Sequence, residues 1–244
     1  MVLFDLVQME KTSTRTPKIL LSKMFEFKFE DDKEKINRLK KILPKEKFIE
    51  FVSMTKFYSR FGTEYVIKGF DFIERNFKNC GVEDFAFIGG VAYAALIQPR
   101  TTKDVDVIVQ CSEESVEYLL ETAKKEGFEV DVSRFDGVIF FATIKEKDGN
   151  NILDIVFALS EWHMEVMQRA EILEIEGEKI KIISPEDLLI FKLLAWRKRD
   201  FSDIEHILAF GVDKKYILKW IGKFTPYNPY LFARFENAEK GVYP

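Results

Sequence analysis

Asp84-Phe85-Ala86-Phe87-Ile88-Gly89-Gly90-Val91-Ala92-Tyr93-Ala94-Ala95-Leu96, then a polar loop from Gln98 to Lys103, then Asp104-Val105-Asp106-Val107-Ile108-Val109, is the stretch that decides the fold. Residues 85–88 are a short apolar run that stops at two glycines, which reads as a buried strand followed by a tight turn. Residues 91–96 read as a short helix, and 104–109 as a second strand. Strand, glycine turn, helix, strand is the beginning of a mixed α/β unit rather than of a helical bundle.

Working outward, residues 113–125 are helical. Their Glu and Lys residues lie on one side and Val116, Leu119, Leu120 and Ala123 on the other. Two further strands are expected at 138–144 and 151–158, joined through Asp148-Gly149-Asn150, and a hairpin at 171–183 turning near Glu176-Gly177. After Ser184-Pro185 the pattern becomes helical again. From Asp31 to about Lys78 it is helical as well, divided at Pro44, and the Thr-rich segment 12–18 reads as a turn. The expected fold is therefore α+β. It comprises a mainly helical segment at 1–83, a mixed-sheet core at 84–183, and a helical tail at 184–244.

Composition excludes little. The chain has 244 residues, 47% hydrophobic, with 37 basic and 41 acidic residues for a net charge of −4. That balance neither requires nor forbids a nucleic-acid partner, because a basic patch can be local. The two cysteines, Cys80 and Cys111, and the two histidines, His163 and His206, show no ligand spacing, which argues against zinc. No apolar run approaches the roughly 18 residues that a membrane span needs, and the N-terminus lacks a signal-peptide layout, so a cytoplasmic protein is expected.

The chemistry concentrates in three places. Asp104 and Asp106 are two apart on an expected strand, so they share a face and repel each other. A hard divalent cation, Mg²⁺ or Mn²⁺, relieves that repulsion, although a solvated strand end is the plainer reading of such a pair. Asp154 lies in Ile152-Leu153-Asp154-Ile155-Val156-Phe157, otherwise wholly apolar. A buried carboxylate there is costly unless it is paired or bound to metal. If its strand neighbours that of Asp104, three carboxylates converge, enough for two metal ions roughly 4 Å apart. Gly89 and Gly90 let backbone N–H groups approach phosphate oxygens at the start of a helix.

Taken together, Gly89-Gly90, Asp104-x-Asp106 and Asp154 resemble the nucleotidyltransferase superfamily that includes DNA polymerase beta. Ile88 to Ala92, Arg100-Thr101-Thr102-Lys103-Asp104-Val105-Asp106, and Ser184-Pro185-Glu186-Asp187-Leu188-Leu189 with Lys192, Arg199-Asp200 and Asp203 resemble its small prokaryotic branch related to the abortive-infection toxins. The likeness covers about residues 84–210. It implies a mixed-sheet catalytic domain, a nucleoside triphosphate donor and Mg²⁺. It implies metal binding by Asp104, Asp106 and Asp154, the last also helping to activate an acceptor hydroxyl. Catalytic residues are then Asp104, Asp106, Asp154 and Lys192, and donor-binding residues are Gly89, Gly90, Arg100 and Lys192. The implied acceptor is a tRNA, a protein or a small molecule, and an antitoxin is a possible partner in a non-catalytic alternative. One departure stands out. Val91 occupies the position after the two glycines, where the family usually has Ser, Gly or Thr.

In the tail, Ser184 is a good N-cap with Pro185 in the first helical position and Asp187 completing a capping box. Lys192 is the only interior charge of the helix that follows, so it either snorkels to solvent or meets a phosphate or carboxylate. Asp200 and Asp203 read best as helix-capping acids. The basic triplet Arg197-Lys198-Arg199 reads equally as a phosphate contact or as a solvated loop.

Overall fold

The computed structural model describes residues 64–98, 100–175 and 178–243. The expected turn at 12–18, the division at Pro44 and most of the expected N-terminal helices lie outside the described residues. The elements are α1 (Glu64–Asn76), β1 (Val82–Phe87), α2 (Gly89–Leu96), β2 (Val105–Cys111), α3 (Glu113–Lys125), β3 (Glu129–Phe135), β4 (Val138–Lys145), β5 (Asn151–Phe157), α4 (Glu161–Arg169), β6 (Glu171–Ile175), β7 (Glu178–Ile182), α5 (Pro185–Ala195), α6 (Phe201–Phe210), α7 (Lys214–Phe224) and α8 (Leu231–Glu239). Single 3₁₀ turns at Lys78–Cys80 and Lys198–Asp200 precede β1 and α6.

The seven strands form one mixed sheet in the order β3-β4-β5-β2-β1-β7-β6. β2 runs antiparallel to β1 and parallel to β5. β4 runs antiparallel to both β5 and β3. β2 and β5 are the innermost pair in sequence character as well as in position. Val105, Val107, Ile108, Val109, Leu153, Ile155 and Phe157 are all buried, the composition of strands covered on both faces.

Helix α1 lies against β2 and β5, and Gly69 lets it do so. A Cβ on Gly69 would collide with the Ile152 carbonyl oxygen and the Val105 side chain. α3 follows the expected pattern, burying Val116, Leu119, Leu120 and Ala123. The Ser112 side chain caps it by accepting from the Ser115 N–H. α5 is apolar on all sides because α2, α6, α7 and α8 surround it. Ser184 caps its first turn as expected, accepting from the Asp187 N–H, with Pro185 at the start. Asp187 departs from a simple capping acid. It is fully buried and also accepts from the Tyr216 hydroxyl at 2.7 Å and from Trp162 Nε1 and Arg169 Nε at 3.3 Å. It thereby ties α4, α5 and α7 together. One buried cluster runs from Val66 in α1 to Ala238 in α8, crossing both proposed domain boundaries.

Several local expectations need adjustment. α2 begins at Gly89, not after the glycines, and β2 begins at Val105, leaving Asp104 in the bend before it. β3 and α4 were not expected. All but one of the residues of β3 are exposed, and the short alternation Glu129-Val130-Asp131-Val132-Ser133 is its one sequence mark. Among the described residues, no helix is long and apolar enough to cross a membrane.

Candidate active site

The register of the sheet brings the acids together. In the parallel β2–β5 pair, Asp106 stands opposite Asp154, so both side chains leave the same face. In the antiparallel β4–β5 pair, Thr143 stands opposite Asp154, and Asp131 of β3 stands opposite Thr143. One row therefore crosses four strands: Asp106, Asp154, Thr143 and Asp131. Asp104 sits two residues before Asp106, and its charge acts on both Asp106 and Asp154.

The glycines belong to the same site. Ile88 donates its N–H to the Asp106 carbonyl at 2.9 Å, which brings the end of β1 beside the acid. Gly89 then takes a left-handed φ of 55°, a conformation that glycine adopts without penalty. A Cβ on Gly89 would overlap the Asp106 carboxylate, and one on Gly90 would overlap the Thr102 side chain. The Gly90 N–H points at Asp106 Oδ2 from 3.3 Å. The helix N-terminus and the acid pair are thus in direct contact. Thr102 is buried, and its hydroxyl donates to the Asp104 carbonyl at 3.2 Å, holding the bend that carries Asp104. Val91 is fully buried. Its side chain serves the core, so the backbone alone presents this helix start to the site.

The electrostatics show an under-neutralised cluster. Burial pushes the Asp106 carboxyl up to about 7, and Asp104 and Asp154 add to the rise against the pull of the Gly90 N–H and Arg197. Burial also raises Asp104, opposed by Arg199 and Arg197. It raises Asp154 too, where the Thr143 hydroxyl bond pulls the other way and the Asp104 charge adds to the rise. Asn151 Nδ2 reaches Asp154 Oδ1 only at a long 3.5 Å. Three half-buried carboxylates with so few compensating donors are a donor set of hard oxygens carrying more negative charge than their surroundings balance. That set fits Mg²⁺ or Mn²⁺ in chemistry and charge. The side chains do not already close into a cage: among the described residues, no three or more His, Cys, Asp or Glu side chains stand in a metal-holding arrangement.

Lys192 is not in this cluster, and it does not snorkel. It is 5% exposed, and its ammonium donates to Asp203 Oδ2 at 2.5 Å and to Asp200 Oδ1 at 3.2 Å. The capping reading of those two acids holds in part: Asp200 completes the capping box of the 3₁₀ turn before α6, and Asp203 stands in the first turn of α6, but both carboxylates also pair with buried or half-buried cations. Asp200 precedes α6 but makes no side-chain bond to that helix. It accepts instead from Arg197, through Nε at 2.7 Å and the backbone N–H at 3.3 Å. Asp203 accepts from Arg100 Nη1 at 2.6 Å. Charged partners bind these carboxylates alongside the one capping amide, that of Arg197. Burial alone would push Asp200 up, but the Arg197 bond and the Lys192 charge reverse it and hold the carboxyl low.

Thr143, Asn151 and Lys145 are site neighbours that no motif marked, whereas Thr102 lay in the Arg100–Asp106 motif and Arg197 in the basic triplet. Lys145 is ion-paired with Asp131, and its charge also acts on Asp154. Arg197 lies close enough for its charge to act on all three acids.

Several solved structures resemble this chain. An antigenic nucleotidyltransferase-like protein from Paracoccidioides brasiliensis is 20% identical, with a TM-score of 0.42, over 75% of this chain and 95% of that one. The lincomycin-bound lincosamide antibiotic adenylyltransferase LnuA is 18% identical, with a TM-score of 0.45, over 61% of this chain and 98% of that one. The Megavirus polyadenylate synthase is 13% identical, with a TM-score of 0.39, over 88% of this chain and 45% of that one. No curated protein sequence matches it. The family model described as a nucleotidyl transferase of unknown function (DUF2204) matches residues 69–222, which span α1 to α7 and hold all three acids and both glycines. The chain belongs to that nucleotidyl transferase family.

Proposed function

We propose that this protein transfers a nucleoside monophosphate from a nucleoside triphosphate to a hydroxyl acceptor, and that Asp104, Asp106 and Asp154 hold the divalent metal that the reaction needs. The observation that carries the reading is the pairing of Asp106 with Asp154 across β2 and β5, beside the helix start at Gly89-Gly90. In such a transfer, an acceptor oxygen forms a bond to the α-phosphorus, the bond from that phosphorus to the β-phosphate's bridging oxygen breaks, and pyrophosphate leaves. Bound Mg²⁺ or Mn²⁺ would make the acceptor hydroxyl more acidic and neutralise charge on the departing pyrophosphate.

The residues divide the remaining work. The backbone amides at the start of α2 face the phosphates, favoured by the positive end of the helix. Asp106 sits nearest to them. Asp154 lies on the far side of the acid pair, next to Thr143, where an acceptor approaches without crossing the donor. Its place beside Thr143, on the side away from the helix start, makes it the proton acceptor for the attacking hydroxyl in this reading. The likeness to the abortive-infection branch, and with it an antitoxin partner or a tRNA or protein acceptor, rests on the motifs at Arg100–Asp106 and Ser184–Asp203. Calorimetric titration with each of the four nucleoside triphosphates, with and without Mg²⁺, tests the site. Binding that strengthens with metal is expected. Negligible affinity for all four, unchanged by metal, rejects it.

A further inference from the structure

Four exposed apolar residues crowd one hairpin of the sheet. Phe135 is 79% exposed, and Val132, Val138 and Phe140 are exposed with it. Single exposed apolar side chains are ordinary, but four within nine residues make a patch. The hairpin that carries them is tight. Asp136 and Gly137 both take left-handed φ values, 50° and 84°, in a two-residue turn whose twist suits the strands it joins. The turn holds Phe135 out in solvent, a hydration cost that packing does not offset.

The patch is continuous with the acid row. Side chains alternate along a strand, so Asp131, Ser133 and Phe135 of β3 share one face, and Thr143 and Phe141 of β4 share it with them. Phe141 in turn stands opposite Val156, two residues beyond Asp154 on β5. Three rows therefore lie side by side on that face: Asp131-Thr143-Asp154, then Ser133-Phe141-Val156, then Phe135. Successive rows are about 7 Å apart, which puts Phe135 about 13 Å from the first. α1 packs on the opposite face, where Gly69 meets Val105, and α2 and α4 pack against β2. Phe141 and Val156 are left half-buried, and Ser133 and Phe135 exposed. An apolar strip thus starts at Asp154, on the side away from Gly89-Gly90, and runs to the hairpin tip.

Charge and reach select what the strip can receive. Residues 129–157 hold six acids and three bases. Lys145 is paired with Asp131, and Arg134 reaches Glu117 at 3.8 Å and donates to the Gly137 carbonyl at 3.1 Å. A nucleic-acid strand needs cations for its phosphates, and this half of the sheet offers a net negative field instead. A protein segment added to the free edge of β3 would lie three strand spacings from Asp154, about 14 Å, beyond the reach of its side chains. A small compound lying flat on the strip meets neither obstacle.

We propose that this strip is the acceptor platform, and that the acceptor is a small hydroxyl compound, neutral or cationic, whose flat apolar body lies on Val156, Phe141 and Phe135 while its hydroxyl meets Asp154. The proposal rests on the nucleotidyl-transfer reading for the fate of that hydroxyl. Its oxygen bonds to the α-phosphorus, its proton goes to Asp154, the bond from that phosphorus to the bridging oxygen breaks, and pyrophosphate leaves. Aromatic faces take flat apolar bodies and favour cations over anions, so the platform sets specificity as well as affinity.

The test uses the full chain, Mg²⁺ and calorimetry, with three probes of one shape: 2-naphthaleneethanol, its ring-bound trimethylammonium derivative and its ring sulfonate. The parent is expected to bind the neutral and cationic probes, and the sulfonate at least about tenfold more weakly. Phe135→Ser is expected to weaken the neutral probe about tenfold, with Phe135→Tyr close to the parent. Phe135 is exposed, so its replacement leaves the fold in place. No binding of the neutral or cationic probe, a preference for the sulfonate, or equal affinity in Phe135→Ser overturns the proposal. An RNA oligonucleotide that binds the parent more tightly than it binds Phe135→Ser also overturns it. So does a parent dimer in sedimentation that Phe135→Ser dissolves, since the strip would then be a contact between two copies. A parent that binds the probes as expected but no nucleoside triphosphate keeps the ligand class of the strip and rejects the transfer reading. Metal-dependent triphosphate binding, with probe affinity indifferent to Phe135→Ser, keeps the transfer reading and rejects the platform.

Discussion

Neutralising one acid of the β2–β5 pair should stabilise the metal-free protein, and only above a defined pH. The perturbation is Asp106→Asn, which keeps shape and can still accept from the Gly90 N–H. In the folded state, burial and the charges of Asp104 and Asp154 push the Asp106 carboxyl from 3.8 up to about 7. Below pH 4 the carboxyl is protonated whether the chain is folded or not, so it costs nothing. Between pH 4 and 7 the unfolded chain ionises first, and folding loses free energy as pH rises. Above pH 7 the loss is complete, with a ceiling of about 4 kcal/mol. Asp106 keeps part of its surface in solvent, and screening brings the expected figure to about 2 kcal/mol. That corresponds to a rise in melting temperature of about 4–8 °C at pH 8 in EDTA for a chain of this size. The gain should disappear at pH 4. Excess Mg²⁺ should narrow it, because the ion stabilises the parent by about 2.7 kcal/mol at a hundred times its dissociation constant. Thermal melts of both proteins at the two pH values, each with EDTA and with metal, give all four numbers. A mutant that is less stable than the parent at pH 8 in EDTA, or equally favoured at both pH values, refutes the account of a repelling acid cluster.

Gly90→Ala should cost about 2 kcal/mol, because its Cβ would fall on the Thr102 side chain in a packed region; a melting temperature equal to the parent's would show that the approach is loose. Lys192→Met should cost about 3 kcal/mol in urea unfolding, since it leaves two buried carboxylates short of a partner; a snorkelling lysine would cost almost nothing. Burial pushes His163 from 6.5 down to about 4, so folding holds it neutral, and stability should fall as pH drops through that interval. His163→Gln should flatten that part of the stability profile, and an unchanged profile would assign the acid sensitivity elsewhere.

The central strands were legible because their residues leave little choice. Apart from Gln110 and Asn151 at their ends, β2 and β5 are apolar on both faces except at Asp106 and Asp154, so type and burial follow directly from residue identity. α3 was legible from period and caps alike. The row across β4 could not be counted from the turn at Asp148-Gly149-Asn150, because the β4–β5 ladder shifts register between Ile144 and Lys145 and a one-residue error puts a side chain on the other face. The edge strand β3 carried only a short signal, Val130 and Val132 alternating with polar residues, because most of an exposed edge strand has no face to bury. The incomplete reading of Asp200 and Asp203 has a different cause. Local spacing marks a capping acid and contains the Arg197 partner of Asp200, but Lys192 and, for Asp203, Arg100 are brought in by tertiary packing, which no local window contains. The family resemblance implies a role for Lys192 near the active site, and in the fold its ammonium meets Asp200 and Asp203.

Transfer itself is the most direct measurement. The parent and Asp154→Asn are incubated with each α-labelled nucleoside triphosphate, Mg²⁺ or Mn²⁺, and separate pools of tRNA, protein and small hydroxyl compounds. Both the label on the acceptor and the released pyrophosphate are counted. The account predicts that the parent moves label to one acceptor class, with an equal amount of pyrophosphate, and that a folded Asp154→Asn does neither. Equal transfer by the variant, or no metal-dependent label and pyrophosphate from the parent with any donor and pool, would contradict it.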